Sequence, residues 1–173
     1  LLLSCASART RDDSIDLNIK PYVIDFVENS RGVVSLEMAN EIPITIVDYK
    51  DDTNKLGTIL ATCYYSPYST NYITINRKWW NAEAGPYYSR KFARVIWHEL
   101  GHCVLGRDHT YSYDQSWYVK LLEWINLTEQ KGFLKDGCPI SLMHPIIVDD
   151  YCAEKHYLYY LQELYITKDK KML

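Results

Sequence analysis

The run His98-Glu99-Leu100-Gly101-His102 sets two imidazoles four residues apart. On a helix they lie about 40° apart around the axis, so both can reach one metal ion. Glu99 sits beside the first imidazole, where its carboxylate can face a metal-bound water without being a ligand. Gly106 can take the backbone conformation that ends a helix, and the turn it allows brings His109 back as a third ligand. Three protein ligands leave a fourth position open, and an open position separates catalytic zinc from structural zinc. Histidine pairs at this spacing also occur on solvated amphipathic helices. The third histidine close by weighs against that reading.

Further along stands Cys138-Pro139-Ile140-Ser141-Leu142-Met143-His144-Pro145. Together the two runs resemble the metzincin clan of zinc metallopeptidases, with its extended zinc motif followed by a Met-turn. The resemblance implies that Met143 forms an apolar floor under the metal. It implies Zn2+ on His98, His102 and His109, with Glu99 as the general base of a metalloendopeptidase. It covers the chain from about residue 20 to 165, of which only the two motifs are specific.

One departure stands out. Three residues, Cys103, Val104 and Leu105, separate His102 from Gly106, where the clan has two. An extra residue in the last helical turn, absorbed as a bulge or a wider exit, accounts for it. Strict spacing from His102 would instead make Asp108 the third ligand, as aspartate is in the snapalysins, and carboxylate oxygen binds zinc acceptably. His109 is favoured because the glycine moved with it, and Asp108 then becomes a partner that orients an imidazole. The position two after Met143, where some clan members carry a zinc-contacting tyrosine, is Pro145. An extra oxyanion donor is therefore unassigned, with a tyrosine or His144 as candidates.

The elements that must position these residues follow from periodicity. Pro21 suits a first helical turn, and Tyr22, Val23, Phe26 and Val27 recur at helical spacing up to a stop at Arg31-Gly32. Ile42 to Tyr49 reads as a strand, Asp51 to Lys55 as a polar turn, and Thr58 to Tyr65 and Asn71 to Asn76 as two more strands. The zinc helix begins at Tyr88 or Ser89, with Phe92, Val95, Ile96 and Leu100 as its buried stripe. Trp117, Leu121, Leu122, Trp124 and Ile125 suggest a short amphipathic helix in the insert before the Met-turn. Val148 to Tyr165 reads as one C-terminal helix with Tyr157, Leu158, Leu161 and Leu164 inward. The expected fold is α+β: a minimal metzincin-like domain, residues 20–166, with a small mixed twisted sheet over the zinc helix. Residues 1–19 are expected to be a tether and 167–173 a frayed tail. In the clan, an edge strand of the sheet pairs with extended substrate. Tyr72, Ile73 and Thr74, in the strand before the zinc helix, are one candidate edge, and Leu60 to Tyr65 is the other.

The chain has 173 residues, 47% of them hydrophobic, enough for one domain with a core. A net charge of −3 argues against nucleic acid as a partner. Sixteen tyrosines and five tryptophans suit a groove for extended peptide, though an aromatic core explains most of them. No segment is apolar and long enough to span a membrane. Leu2-Leu3-Ser4-Cys5 is similar to a bacterial lipobox. Cys5 would then carry lipid, anchoring an exported lipoprotein to the outer membrane or cell surface through a polar tether. Chance supplies the competing explanation. The remaining cysteines, Cys63, Cys103, Cys138 and Cys152, allow three pairings of two disulfides. The implied packing of the Met-turn under the zinc helix hints at Cys103 with Cys138. A thiolate ligand role for Cys103 is set aside, because it points about 100° away from His102.

Three functions compete on these residues. The first is a monomeric zinc peptidase acting on peptide or protein. The second is a surface lipoprotein that binds a protein partner, with a structural or vestigial zinc site that has no need of Glu99. The third is a zinc hydrolase of non-peptide amides.

Overall fold

The structure is a computed structural model that describes residues 18–50, 53–54, 57–65, 70–83, 89–110 and 132–166. Helices α1 (Lys20–Asn29) and α2 (Leu36–Asn40) precede strand β1 (Ile44–Val47). A two-stranded hairpin of β2 (Thr53–Asn54) and β3 (Gly57–Thr58) leads to β4 (Ala61–Tyr64) and β5 (Tyr72–Asn76). Helices α3 (Arg77–Glu83) and α4 (Arg90–Cys103) follow, and α5 (Asp150–Lys155) and α6 (Tyr157–Ile166) close the fold. The class is α+β. No helix among the described residues is long and apolar enough to cross a membrane. Cys5, the aromatic insert and the tail from residue 167 lie outside the described residues.

The sheet is three-stranded and mixed, in the order β1-β5-β4. β1 runs parallel to β5, with Ile44 opposite Ile73, and β4 runs antiparallel, with Cys63 opposite Ile73. β5 is therefore central. Ile73 and Ile75 are fully buried and Thr74 nearly so. This corrects the expectation that Tyr72, Ile73 and Thr74 offer a free edge: Ile73 and Thr74 are already paired on both sides, and Tyr72 is paired to Tyr64 of β4. Among the described residues β4 is the free edge on the α4 side.

α4 is the spine. Ser89 caps it by accepting the Phe92 N–H, as a capping serine should. The expected stripe of Phe92, Val95, Ile96 and Leu100 is buried under the sheet and against α1. Trp97 Nε1 donates to the Tyr22 carbonyl at 3.3 Å, tying α1 to the helix. Trp79 and Trp80 of α3 pack on the Phe92 ring, with centroids 4.4 and 4.7 Å away. α3 was not foreseen, although Asn76 carries its signal: the side-chain oxygen accepts the Lys78 and Trp79 N–H groups. Ile19, expected at the end of the tether, is fully buried in the core.

Two expectations for the C-terminal region are corrected. The single helix is two, because His156 leaves helical geometry at φ −114°, ψ 21°. The break resets the phase, so Tyr160, Leu164 and Tyr165 are buried while Tyr157 and Leu158 are exposed. The disulfides are Cys63–Cys103 and Cys138–Cys152, not Cys103–Cys138. Cys103 faces β4 rather than the Met-turn, and Cys138 meets the first turn of α5.

Candidate metal centre

His98 and His102 project from one face of α4, and His109 returns to them from the loop beyond. Their Nε2 atoms form a triangle with edges of 3.1 Å (His98 to His102) and 3.2 Å (each to His109). An ion can touch all three from about 2 Å, the usual zinc–imidazole distance. The other ring nitrogens explain why the contact between His98 and His102 is not a hydrogen bond. Nδ1 of His98 donates to the Leu142 carbonyl at 2.6 Å, and Nδ1 of His102 donates to the Arg107 carbonyl at 2.5 Å. A neutral imidazole has one N–H, so each Nε2 presents a bare lone pair to the other. Lone pairs pressed together repel unless a cation lies between them, and a carbonyl on the far nitrogen is the usual orientation of a ligating histidine. Burial, helped by His102, pushes His98 down to about 3. Burial lowers His102 and His109 as well. All three are thereby kept in the neutral form that binds metal. The residues present fit a tetrahedral divalent ion with one open position.

The extra residue before Gly106 is absorbed as a wide helix exit. Gly106 adopts φ 61°, the left-handed conformation that glycine tolerates. Its N–H reaches the His102 carbonyl at 3.1 Å, and the Arg107 N–H reaches the Gly101 carbonyl at 3.0 Å. Each bond spans one residue more than the common Schellman closure. The widened turn delivers His109 to the triangle. Asp108 is not among the three converging groups; it acts on His102 and His109 electrostatically, favouring their charged forms.

Glu99 lies on the sheet side of His98, 8% exposed. Its Oε2 accepts the Cys63 backbone N–H at 2.6 Å. Burial raises its carboxyl to about 7, and the Cys63 N–H opposes that rise. A carboxyl poised there can both take and give a proton near neutrality.

Met143 is fully buried in a tight turn beneath α4. A Cβ at Gly101 would lie 2.5 Å from the Met143 sulfur, so only glycine admits this approach. The turn also works through its backbone. The Leu142 carbonyl holds His98, and the Met143 carbonyl accepts the Thr110 N–H at 3.2 Å, next to His109.

Sequence reasoning missed a buried network below. Arg107 pairs with Glu163 of α6, and both side chains are nearly buried, at 13% and 12% exposure. Arg107 Nη1 also donates to the Glu163 carbonyl at 2.7 Å. Glu163 accepts the Ser141 hydroxyl, whose oxygen in turn accepts the Met143 N–H at 2.8 Å. The loop that holds His102 and the turn that holds His98 thus share one anchor on α6. No spacing rule marks Glu163. Only the charged Arg107 inside the Gly106-Arg107-Asp108-His109 run hinted at a partner.

A second group, Asp136, Cys138 and His156, also brings three metal-binding side chains together. Cys138 is bound to Cys152, so its sulfur is no thiolate. Asp136 accepts from His156, Lys155 and the Cys138 N–H, at 2.7, 2.8 and 3.2 Å. This group ties a loop to α5. No protein-family model matches the chain, and neither a curated protein nor a solved structure matches it.

Proposed function

We propose that this chain is a zinc-dependent endopeptidase of metzincin type, exported and active outside the reducing cytosol. The observation that carries the reading is the triangle of Nε2 atoms, two of them held bare by backbone carbonyls on the far nitrogen, with a buried carboxyl one residue from the first. His98, His102 and His109 would hold the ion. When bound, zinc supplies Lewis-acid polarisation of a carbonyl and acidifies water. The chain's own groups do the rest. Cys63 N–H fixes one oxygen of Glu99. The other oxygen takes the proton from attacking water and hands it to the leaving amine.

β4 supports an extended substrate. Asn76 N–H bonds the Leu60 carbonyl, so Thr62 opposite Thr74 and Tyr64 opposite Tyr72 also face β5 in the alternating ladder. The Ala61 N–H and carbonyl and the Cys63 carbonyl then face outward along the edge, while the outward Cys63 N–H is taken by Glu99. A strand laid there gains main-chain pairing with little demand on sequence. The two disulfides support an oxidising compartment. A lipid anchor at Cys5 remains part of the proposal.

The protein-binding alternative needs neither a carboxyl buried beside the imidazoles nor a backbone donor spent on it. The test is hydrolysis of fluorescein-labelled casein by the zinc-loaded chain, with chelator and Glu99→Gln as controls. The proposal expects cleavage that both controls abolish. Absence of cleavage, or equal cleavage by Glu99→Gln, contradicts it.

A further inference from the structure

We propose that the Cys63–Cys103 disulfide is the positioning device for Glu99, and that its reduction by a dithiol disables the site. The activity part rests on the peptidase reading; the clamp itself rests on geometry alone.

Glu99 and Cys103 are four residues apart on α4, hence on one face in successive turns. Both grip the same residue of β4. The Glu99 carboxylate holds the backbone of Cys63 through its N–H at 2.6 Å, and the Cys103 sulfur holds its side chain across a Cα–Cα distance of 5.8 Å. β4 is four residues long and laddered on one side, to β5. Such a short edge strand is weakly fixed in register by its own hydrogen bonds. The sulfur bridge closes a loop of sequence separation 40 and stops β4 from sliding along α4. Asn71 Nδ2 adds a bond to the Cys103 carbonyl at 3.0 Å on the same flank.

The clamp decides which way Glu99 points. With one oxygen fastened to β4, the carboxylate is held away from the imidazoles as a ligand and its second oxygen is left for proton transfer. With the bridge broken, β4 is free to shift, and the buried carboxylate loses its fixed donor. The chemistry is ordinary thiol–disulfide exchange. A dithiol thiolate attacks one sulfur to form a mixed disulfide and expels the other as thiolate. The second thiol of the reagent then closes the reagent's ring disulfide. The two protons of the reagent end on Cys63 and Cys103, and its two electrons go into the broken bond. An enzyme built this way works after export and is idle in a reducing cytosol.

The experiment compares the full oxidised chain, Cys63→Ala/Cys103→Ala, and Cys138→Ser/Cys152→Ser, each loaded with zinc. Casein hydrolysis gives kcat and KM, and the residue-63 amide proton is followed by NMR. We expect the first variant to keep zinc and to lose kcat by about tenfold or more, with KM rising as well because β4 is also the proposed substrate edge. Its residue-63 amide should lose the downfield position of a carboxylate-bonded N–H. The second variant should lose thermal stability but keep kcat at temperatures where it is folded. If the first variant does not fold, the Cys138→Ser/Cys152→Ser chain titrated with dithiothreitol, in which Cys63–Cys103 is the described disulfide left to break, gives the same amide readout. An amide 63 that stays downfield and exchange-protected after the bond is broken overturns the clamp. So does an unchanged kcat. If the oxidised wild type fails to cleave casein, the peptidase reading falls, and the amide measurement still judges the clamp.

Discussion

Among the described residues, two clusters bring three metal-binding side chains within reach of one another, and they differ in where the remaining valences go. In the first cluster, the outward nitrogens of His98 and His102 are spent on backbone carbonyls, so their inward nitrogens are bare, and His109 Nε2 meets both. In Asp136, Cys138 and His156, the inward atoms are already consumed, by a disulfide, an ammonium and an imidazole N–H. Residue types alone would score the two alike. The difference teaches that a ligand set is recognised by what holds the far side of each donor.

Several substitutions separate the clusters, and the largest effect belongs to Glu99. Glu99→Gln should keep the metal and lower casein hydrolysis by about a hundredfold or more, the usual worth of a positioned general base. Steady-state rates beside metal content check it. Breaking the anchor under the first cluster comes next. Glu163→Ala leaves Arg107 buried without its carboxylate and should cost about 3 kcal/mol, read as a lowered urea midpoint. Gly101→Ala pushes a methyl into the Met143 sulfur and should cost about 2 kcal/mol through overpacking. The same denaturation curve measures it, and a structure of the variant should show Met143 displaced. Asp136→Asn in the second cluster should leave zinc binding and hydrolysis unchanged and lower thermal stability slightly.

Acidification distinguishes the clusters by window. In the metal-free chain His98 titrates at about 3, below its ordinary value of 6.5. The unfolded chain then binds more protons than the folded one, so His98's contribution is full above 6.5 and fades as pH falls toward 3. Asp136 is held below the usual carboxylate range, first by its bond from Lys155 and then by that from His156. Its contribution is full above about 4 and is lost only below that. A stability curve against pH should therefore bend below about 6.5, where His102 and His109 add to the His98 loss and the raised Glu99 carboxyl opposes it. Replacing His98 should flatten that bend, and replacing Asp136 should not.

The sequence made the first cluster legible because its geometry is local. His98, Glu99 and His102 are fixed by one helical turn, and Gly106 announces the exit that returns His109. The α4 stripe was legible for the same reason. What escaped depends on distant pairings. Nothing near Cys103 says that its partner is Cys63, and nothing near Glu99 says that a β4 backbone N–H will hold it. Periodicity ran through His156 because Tyr157 to Ile166 is helical on both readings; the break falls where His156 bonds Asp136, beside the helix that the Cys138–Cys152 bridge ties down. The strand order was equally invisible, since β5 lies inside only because β1 returns parallel beside it.

The most direct measurement is metal analysis of the purified full chain after zinc loading and desalting, repeated on His98→Ala and His156→Ala. The account predicts one zinc per chain in the parent and in His156→Ala, and none in His98→Ala. A parent that takes up no transition metal, or zinc that survives His98→Ala and vanishes with His156→Ala, would contradict it.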